Sequence, residues 1–134
     1  MRCDIFEKSF EITSSELDAQ GHCRLSALLG FFQDVGNLHA EQQGMGREDL
    51  MAECGAVWML ARAWLRLIRP ILQDEILTVR TWHRGCAGAS VYRDFDLLID
   101  GVPVGEAVSV WVVAELESRR MLRPKKVSCI LQAP

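Results

Sequence analysis

A single stretch of helical periodicity, from Leu25 to Gln43, constrains this chain more than any other feature. Leu25, Leu28, Leu29, Phe32, Val35, Gly36 and His39 fall on one face, and Gln33, Asp34, Asn37 and Glu41 form the opposite arc. Ser26 is placed to cap the start, and Gly44 to stop the end. Gly30 and Gly36 each weaken such a helix by about 1 kcal/mol where exposed, and each also permits close approach of a sheet or ligand. One long amphipathic helix cannot bury its apolar face alone, so the rest of the chain must supply a surface for it.

That surface reads as antiparallel strands. Ile5 to Thr13 mostly alternates, and residues 14–22 are turn-like. A short helical turn is expected over residues 47–54. Ile76 to Arg84 reads as a strand, followed by a turn over Gly85-Cys86-Ala87-Gly88. Ala89, Val91, Arg93, Phe95, Leu97 and Ile99 then alternate with polar neighbours. Asp100-Gly101 is a strong hairpin signal. Val104, Val108, Val110, Val112, Ala114 and Leu116 are expected on one face of a last strand, before a polar, basic tail from Ser118. Residues 56–69 stay open: Arg62, Arg66 and Arg69 are spaced as on a helix, while Val57, Met59, Ala61, Ala63, Leu65 and Leu67 alternate as on a strand; local propensity leans to helix, since only Val57 and Ile68 are β-branched. One helix beside such a sheet makes an α+β fold, with an edge strand that needs covering or pairing.

The length of 134 residues suits one domain, and a chain of this size buries roughly two-thirds of its unfolded surface. There is no repeat or Gly/Ser linker, so residues 1–134 are expected to form one domain. A net charge of −3 gives no global attraction to nucleic acid or an anionic membrane. No apolar run reaches the length of a membrane span, and no signal peptide is recognised. The five cysteines are odd in number, widely spaced and without a C-x-x-C pair, as expected of reduced thiols in a cytoplasmic protein. His22, His39 and His83 lie in separate segments, so no metal site is expected. His39, on the apolar face, reads as a core histidine.

Four stretches taken in order resemble a known family. They are FFQDVGNLHAEQQG (residues 31–44), AVWMLARAWLRLIRP (56–70), TVRTWHRG (78–85), and YRDFDL through AVSVWVVAELESRRMLRP (92–124). Together they resemble the N-terminal domain of acyl-ACP thioesterases, over most of the chain. The resemblance implies a hotdog fold, in which one long central helix is wrapped by an antiparallel β-sheet, and it makes residues 56–69 a strand. It also implies hydrolysis of an acyl thioester, carried by acyl carrier protein or coenzyme A, within fatty acid metabolism, with no cofactor. Family members carry two hotdog domains, with the main catalytic motif in the second. A lone copy is therefore expected to form a homodimer or higher homo-oligomer.

The family's catalytic loop looks like Leu-Asp-x-Asn-Gly-His-Val-Asn. Leu17-Asp18-Ala19-Gln20-Gly21-His22-Cys23-Arg24 matches it at Asp18, Gly21 and His22, while Gln20 and Arg24 replace the two asparagines. Thioester hydrolysis needs a base, oxyanion donors and a trench for the acyl chain. His22 is the candidate base, since imidazole titrates near neutrality. Asp18 is its candidate orienter, and Gln20 a candidate to hold the carbonyl or water. Backbone N–H groups of residues 23–28, at the positive end of the helix, are candidate oxyanion donors. Asp18 and His22 could equally tie the loop down by hydrogen bonds. The resemblance makes Asp34 a second catalytic candidate, since a helix carboxylate can serve as base or nucleophile in related hotdog enzymes, with Gln33, Asn37 and Trp58 as substrate-binding residues; the helix residues could instead form a solvated arc or hydrogen bonds across a domain interface. Arg119, Arg120, Arg123, Lys125 and Lys126 form a basic segment, either a solvated tail or a dock for an acidic carrier protein, and Arg120 and Arg123 are its substrate-binding candidates. Two other readings remain: a non-catalytic acyl-thioester-binding domain, and a hydroxyacyl-thioester dehydratase.

Overall fold

A computed structural model describes residues 5–123. Chain order is β1 (Ile5–Glu11), a 3-10 turn (Ser14–Glu16), α1 (Leu25–Gln42), α2 (Arg47–Cys54), β2 (Ala56–Leu67), β3 (Ile76–Ala87), β4 (Ser90–Ile99), β5 (Val102–Glu115) and β6 (Met121–Leu122). The strands form one antiparallel sheet in the order β1-β3-β4-β5-β2. The short β6 pairs with Val113 and Ala114 of β5.

α1 lies across one face of this sheet, mainly over β1 and β3. Leu28, Phe32, Val35, Gly36, His39 and Ala40 are its buried positions. They meet the alternating inward residues of the strands, among them Leu77, Val79, Phe95, Leu97 and Ala107. Three stacked ring pairs pin the helix: Phe31 on Phe10, Phe32 on Phe95, and His39 on Phe6. Leu25, expected on the buried face, is 59% exposed and lines an open cavity. The cap also differs from expectation. Arg24 is the N-cap, and its Nε donates to Ser26 Oγ at 3.2 Å while its Nη1 donates to the Ser15 carbonyl.

Residues 56–67 are a strand, β2, as the family resemblance implied and the residues alone did not decide. The reason for the ambiguity is visible. β2 is an edge strand paired only with β5, a bulge interrupts its register between Leu60 and Arg62, and α1 leaves it largely uncovered. Periodicity records burial, and little of β2 is buried.

Two turns depart from expectation. β3 runs through Gly85 to Ala87, with a register shift at His83/Gly85, so the reversal falls at Gly88-Ala89. Val104 does not share a face with Val108: the pairing slips between Leu97 and Leu98, and Val104 turns into the core. The expected hairpin at Asp100-Gly101 is present, with both residues at positive φ (51° and 76°), as a type I′ turn requires. Among the described residues no helix is long and apolar enough to cross a membrane.

Candidate functional site

The uncovered strip between α1 and β2 holds two cavities. The first, about 390 Å³, lies at the N-terminal end of α1 and is lined by Asp18, His22, Leu25, Leu65, Leu67 and Ile68, among others. The second, about 530 Å³, lies further along the helix and is lined by Gln33, Asn37, Glu41, Arg47, Trp58 and Trp111, among others.

The loop at the first cavity is built by Asp18. Its Oδ1 accepts the backbone N–H groups of Gln20 (2.8 Å) and His22 (3.0 Å), and its own N–H donates to the His22 carbonyl at 2.7 Å. Gly21, at φ +81°, permits the tight return. The N–H of His22 is the main reason the Asp18 carboxyl lies below the ordinary aspartate value; that of Gln20 adds to it. An ionised carboxylate is the better acceptor, so these bonds favour its charged form. Asp18 therefore orients the peptide of His22; among the described residues nothing bonds the imidazole itself. Gln20 is exposed and lines neither cavity.

The expected oxyanion donors are partly spent. The N–H groups of Cys23, Arg24, Ala27 and Leu28 donate to Ile71, Glu16 and Arg24 carbonyls, which leaves those of Leu25 and Ser26 at the helix start. Cys23 is buried beside His22, and desolvation raises its thiol pKa, so it is no thiolate nucleophile.

The second cavity brings together Gln33 and Asn37, one turn apart on α1, with Trp58 of β2. Trp58 Nε1 donates to the Met45 carbonyl at 2.9 Å, and Trp111 Nε1 to Ser109 Oγ at 2.8 Å, so both indoles are held as fixed walls. Asp34 is exposed and lines neither cavity. It lies about 14 Å along the helix from Leu25, at about 1.5 Å per residue, so within one copy it is not beside His22. Arg120 and Arg123 flank β6, are exposed and also line neither cavity. Lys125 and Lys126 lie outside the described residues.

Sequence reasoning passed over a third place. Behind the second cavity is a chamber of about 30 Å³, lined by Gly36, Asn37, Trp58, His83, Arg93 and Trp111, among others. Arg93 is 6% exposed. Its Nη1 donates to His39 Nδ1 at 2.8 Å and to Thr81 Oγ1 at 3.3 Å. Burial lowers its pKa to about 10, so it remains a cation at neutral pH. The signal was present in the sequence, since Arg93 is the one charged residue on the apolar face Val91-Arg93-Phe95-Leu97. Among the described residues no cluster of His, Cys, Asp and Glu is arranged to hold a metal ion.

Comparison with known proteins adds the remaining findings. Residues 3–128 match the family model of the acyl-ACP thioesterase N-terminal domain. A chloroplastic palmitoyl-acyl carrier protein thioesterase from Cuphea hookeriana is 25% identical over 126 residues, covering 87% of this chain and 30% of that protein. The chain thus spans about a third of the length of the curated relatives it matches. An acyl-ACP thioesterase from Bacteroides thetaiotaomicron superposes with a TM-score of 0.84 at 24% identity, covering 98% of this chain and 56% of that one. Slr0204 of Synechocystis, a 1,4-dihydroxy-2-naphthoyl-CoA thioesterase, superposes at 0.77 with 12% identity, covering 89% of this chain and 88% of that one. These likenesses show the hotdog fold.

Proposed function

This chain belongs to the acyl-ACP thioesterase family, matching its N-terminal domain, and from that premise we propose that it hydrolyses acyl thioesters carried by acyl carrier protein or coenzyme A. The observation that carries the reading is the family match over residues 3–128, together with the open strip between α1 and β2. In the proposed reaction His22 takes a proton from water, and the water oxygen bonds to the thioester carbonyl carbon. The N–H groups of Leu25 and Ser26 receive the oxyanion. The C–S bond then breaks, and the proton passes to the leaving sulfur. Asp18 holds the peptide of His22 in place, and Gln33, Asn37 and Trp58 bind the substrate; Gln20, which lines neither cavity, reaches the carbonyl or water only if the substrate rises from the cavity mouth.

The 1–134 unit is proposed to act as a homodimer. β2 supports this, since it is an edge strand that exposes Met59, Leu60, Trp64 and Leu67, and an exposed apolar edge is a pairing surface. In this reading Asp34 acts at the His22 loop of the other copy, and the exposed basic residues Arg120 and Arg123 contact the acidic carrier.

The test is thiol release from acyl-ACP and acyl-CoA by the purified chain. The expected result is turnover that falls by about 10²–10⁴-fold in His22→Ala, the range for loss of a general base. Rates unchanged by His22→Ala and Asp18→Ala would overturn the assignment. A second reading, a non-catalytic acyl-binding domain, is favoured by one observation: the Asp18 carboxylate is engaged by backbone N–H groups and not by the His22 ring. Binding of acyl thioester without thiol release would select it.

A further inference from the structure

The chamber behind the second cavity is an unusual end for an apolar trench. Asn37, Ala40, Trp58 and Trp111 line both spaces, so the chamber is the inner end of the groove. Its walls include Met45 and Val91, but also a guanidinium. Among the described residues Arg93 pairs with no carboxylate, and its hydrogen bonds all run through Nη1 to neutral acceptors. Buried cations are ordinarily matched by an anion or by several acceptors. A guanidinium has five N–H donors and no acceptor capacity, so the rest of this one is suited to an oxygen in the chamber. The space of about 30 Å³ admits a group the size of one or two waters. α1 passes close by: a Cβ added at Gly36 would lie 3.3 Å from Arg93 Cδ, so glycine there leaves the guanidinium uncovered on that side.

We propose that this chamber is an acceptor pocket for the far end of the acyl group, so that the site prefers acyl thioesters bearing a terminal hydroxyl or carboxylate over those ending in a methyl. The inference rests on the acyl-thioester reading above and narrows its substrate class. A methyl end would strip water from the guanidinium and return no acceptor, whereas an oxygen end replaces the lost hydrogen bonds. Hydrogen bonds to charged groups are worth enough for about a ten- to hundredfold preference. A carboxylate also neutralises the buried charge, and bidentate geometry suits it to arginine.

The test is calorimetric binding of three pantetheine amides of equal chain length to the full chain: octanoyl, ω-hydroxyoctanoyl and suberoyl. The amide link resists hydrolysis, so binding is read apart from turnover. The hydroxyl and carboxylate compounds are expected to bind at least tenfold more tightly than the octanoyl one, and the ratio between these two reports whether charge or an acceptor alone is read. Arg93→Met should abolish the preference. Gly36→Ala, which favours the helix and keeps the cation, should reduce it by narrowing the chamber, its circular dichroism and urea midpoint being compared with the parent to show that it folds. Equal or tighter binding of the octanoyl compound overturns the acceptor pocket and leaves the acyl-thioester reading standing. Failure of all three to bind overturns both.

Discussion

Replacing His39 with leucine tests whether the buried His39–Arg93 contact holds α1 to the sheet. His39 is fully buried, stacks on Phe6 at 5.8 Å, and accepts Arg93 Nη1–H at 2.8 Å. Leucine fills much of the same space but offers no acceptor. A hydrogen bond to a charged group contributes about 1.5–3 kcal/mol, and stranding a buried donor adds its desolvation cost, so His39→Leu should destabilise the fold by about 2–4 kcal/mol. Arg93→Met removes the cation itself and leaves only neutral acceptors behind, at a cost of about 0–2 kcal/mol. The double variant should be more stable than the sum of the two losses, with a coupling of about 1–3 kcal/mol, because no charge is left without its partner. Urea unfolding followed by tryptophan fluorescence measures all four proteins. Additive losses, or a His39→Leu variant as stable as the parent, would refute the argument that this contact carries energy beyond its packing.

Three further outcomes concern the Asp18 loop, the β2–β5 contact and the β2 edge. The Asp18 carboxyl is depressed in the folded chain, chiefly by the N–H of His22; its contribution is therefore present above the ordinary aspartate value of about 3.9 and is lost as pH falls through the folded value. Protection of the Gln20 and His22 amides from hydrogen exchange, measured against the intrinsic rate at each pH, should fall over that acid range, and should already be low at neutral pH in Asp18→Ala. Gly105→Ala should cost about 1–3 kcal/mol in thermal or urea unfolding, since its Cβ would lie 2.7 Å from the Arg66 carbonyl oxygen, a backbone atom that cannot step aside. Met59→Lys with Trp64→Glu should shift the protein from dimer to monomer in analytical ultracentrifugation with its circular dichroism unchanged; a monomeric parent would remove the proposed pairing edge.

Much of the fold was legible because local patterns record burial. α1 stood out since its face meets the core at helical spacing, and β4 since it alternates between buried and half-buried positions from Ser90 to Leu97. Asp100-Gly101 announced its hairpin because few residue pairs tolerate two positive φ angles. The family resemblance supplied β2, where the residues were ambiguous, because an edge strand exposed on both sides and broken by a bulge leaves little periodic trace.

The site was legible only in part. The loop residues Asp18 and His22 and the arc residues Gln33 and Asn37 could be named from sequence as polar groups beside a helix. Their separation into two cavities could not, because it depends on where β2 runs relative to α1. Arg93 shows the division clearly. By itself the sequence determined that a charge sits on the apolar face of a strand. Only the tertiary structure decided that this charge lies under Gly36, bonded to a histidine 54 positions earlier, at the end of a groove. Periodicity reports which side chains leave water; which of them then meet is settled by strand pairing and helix packing across the whole chain.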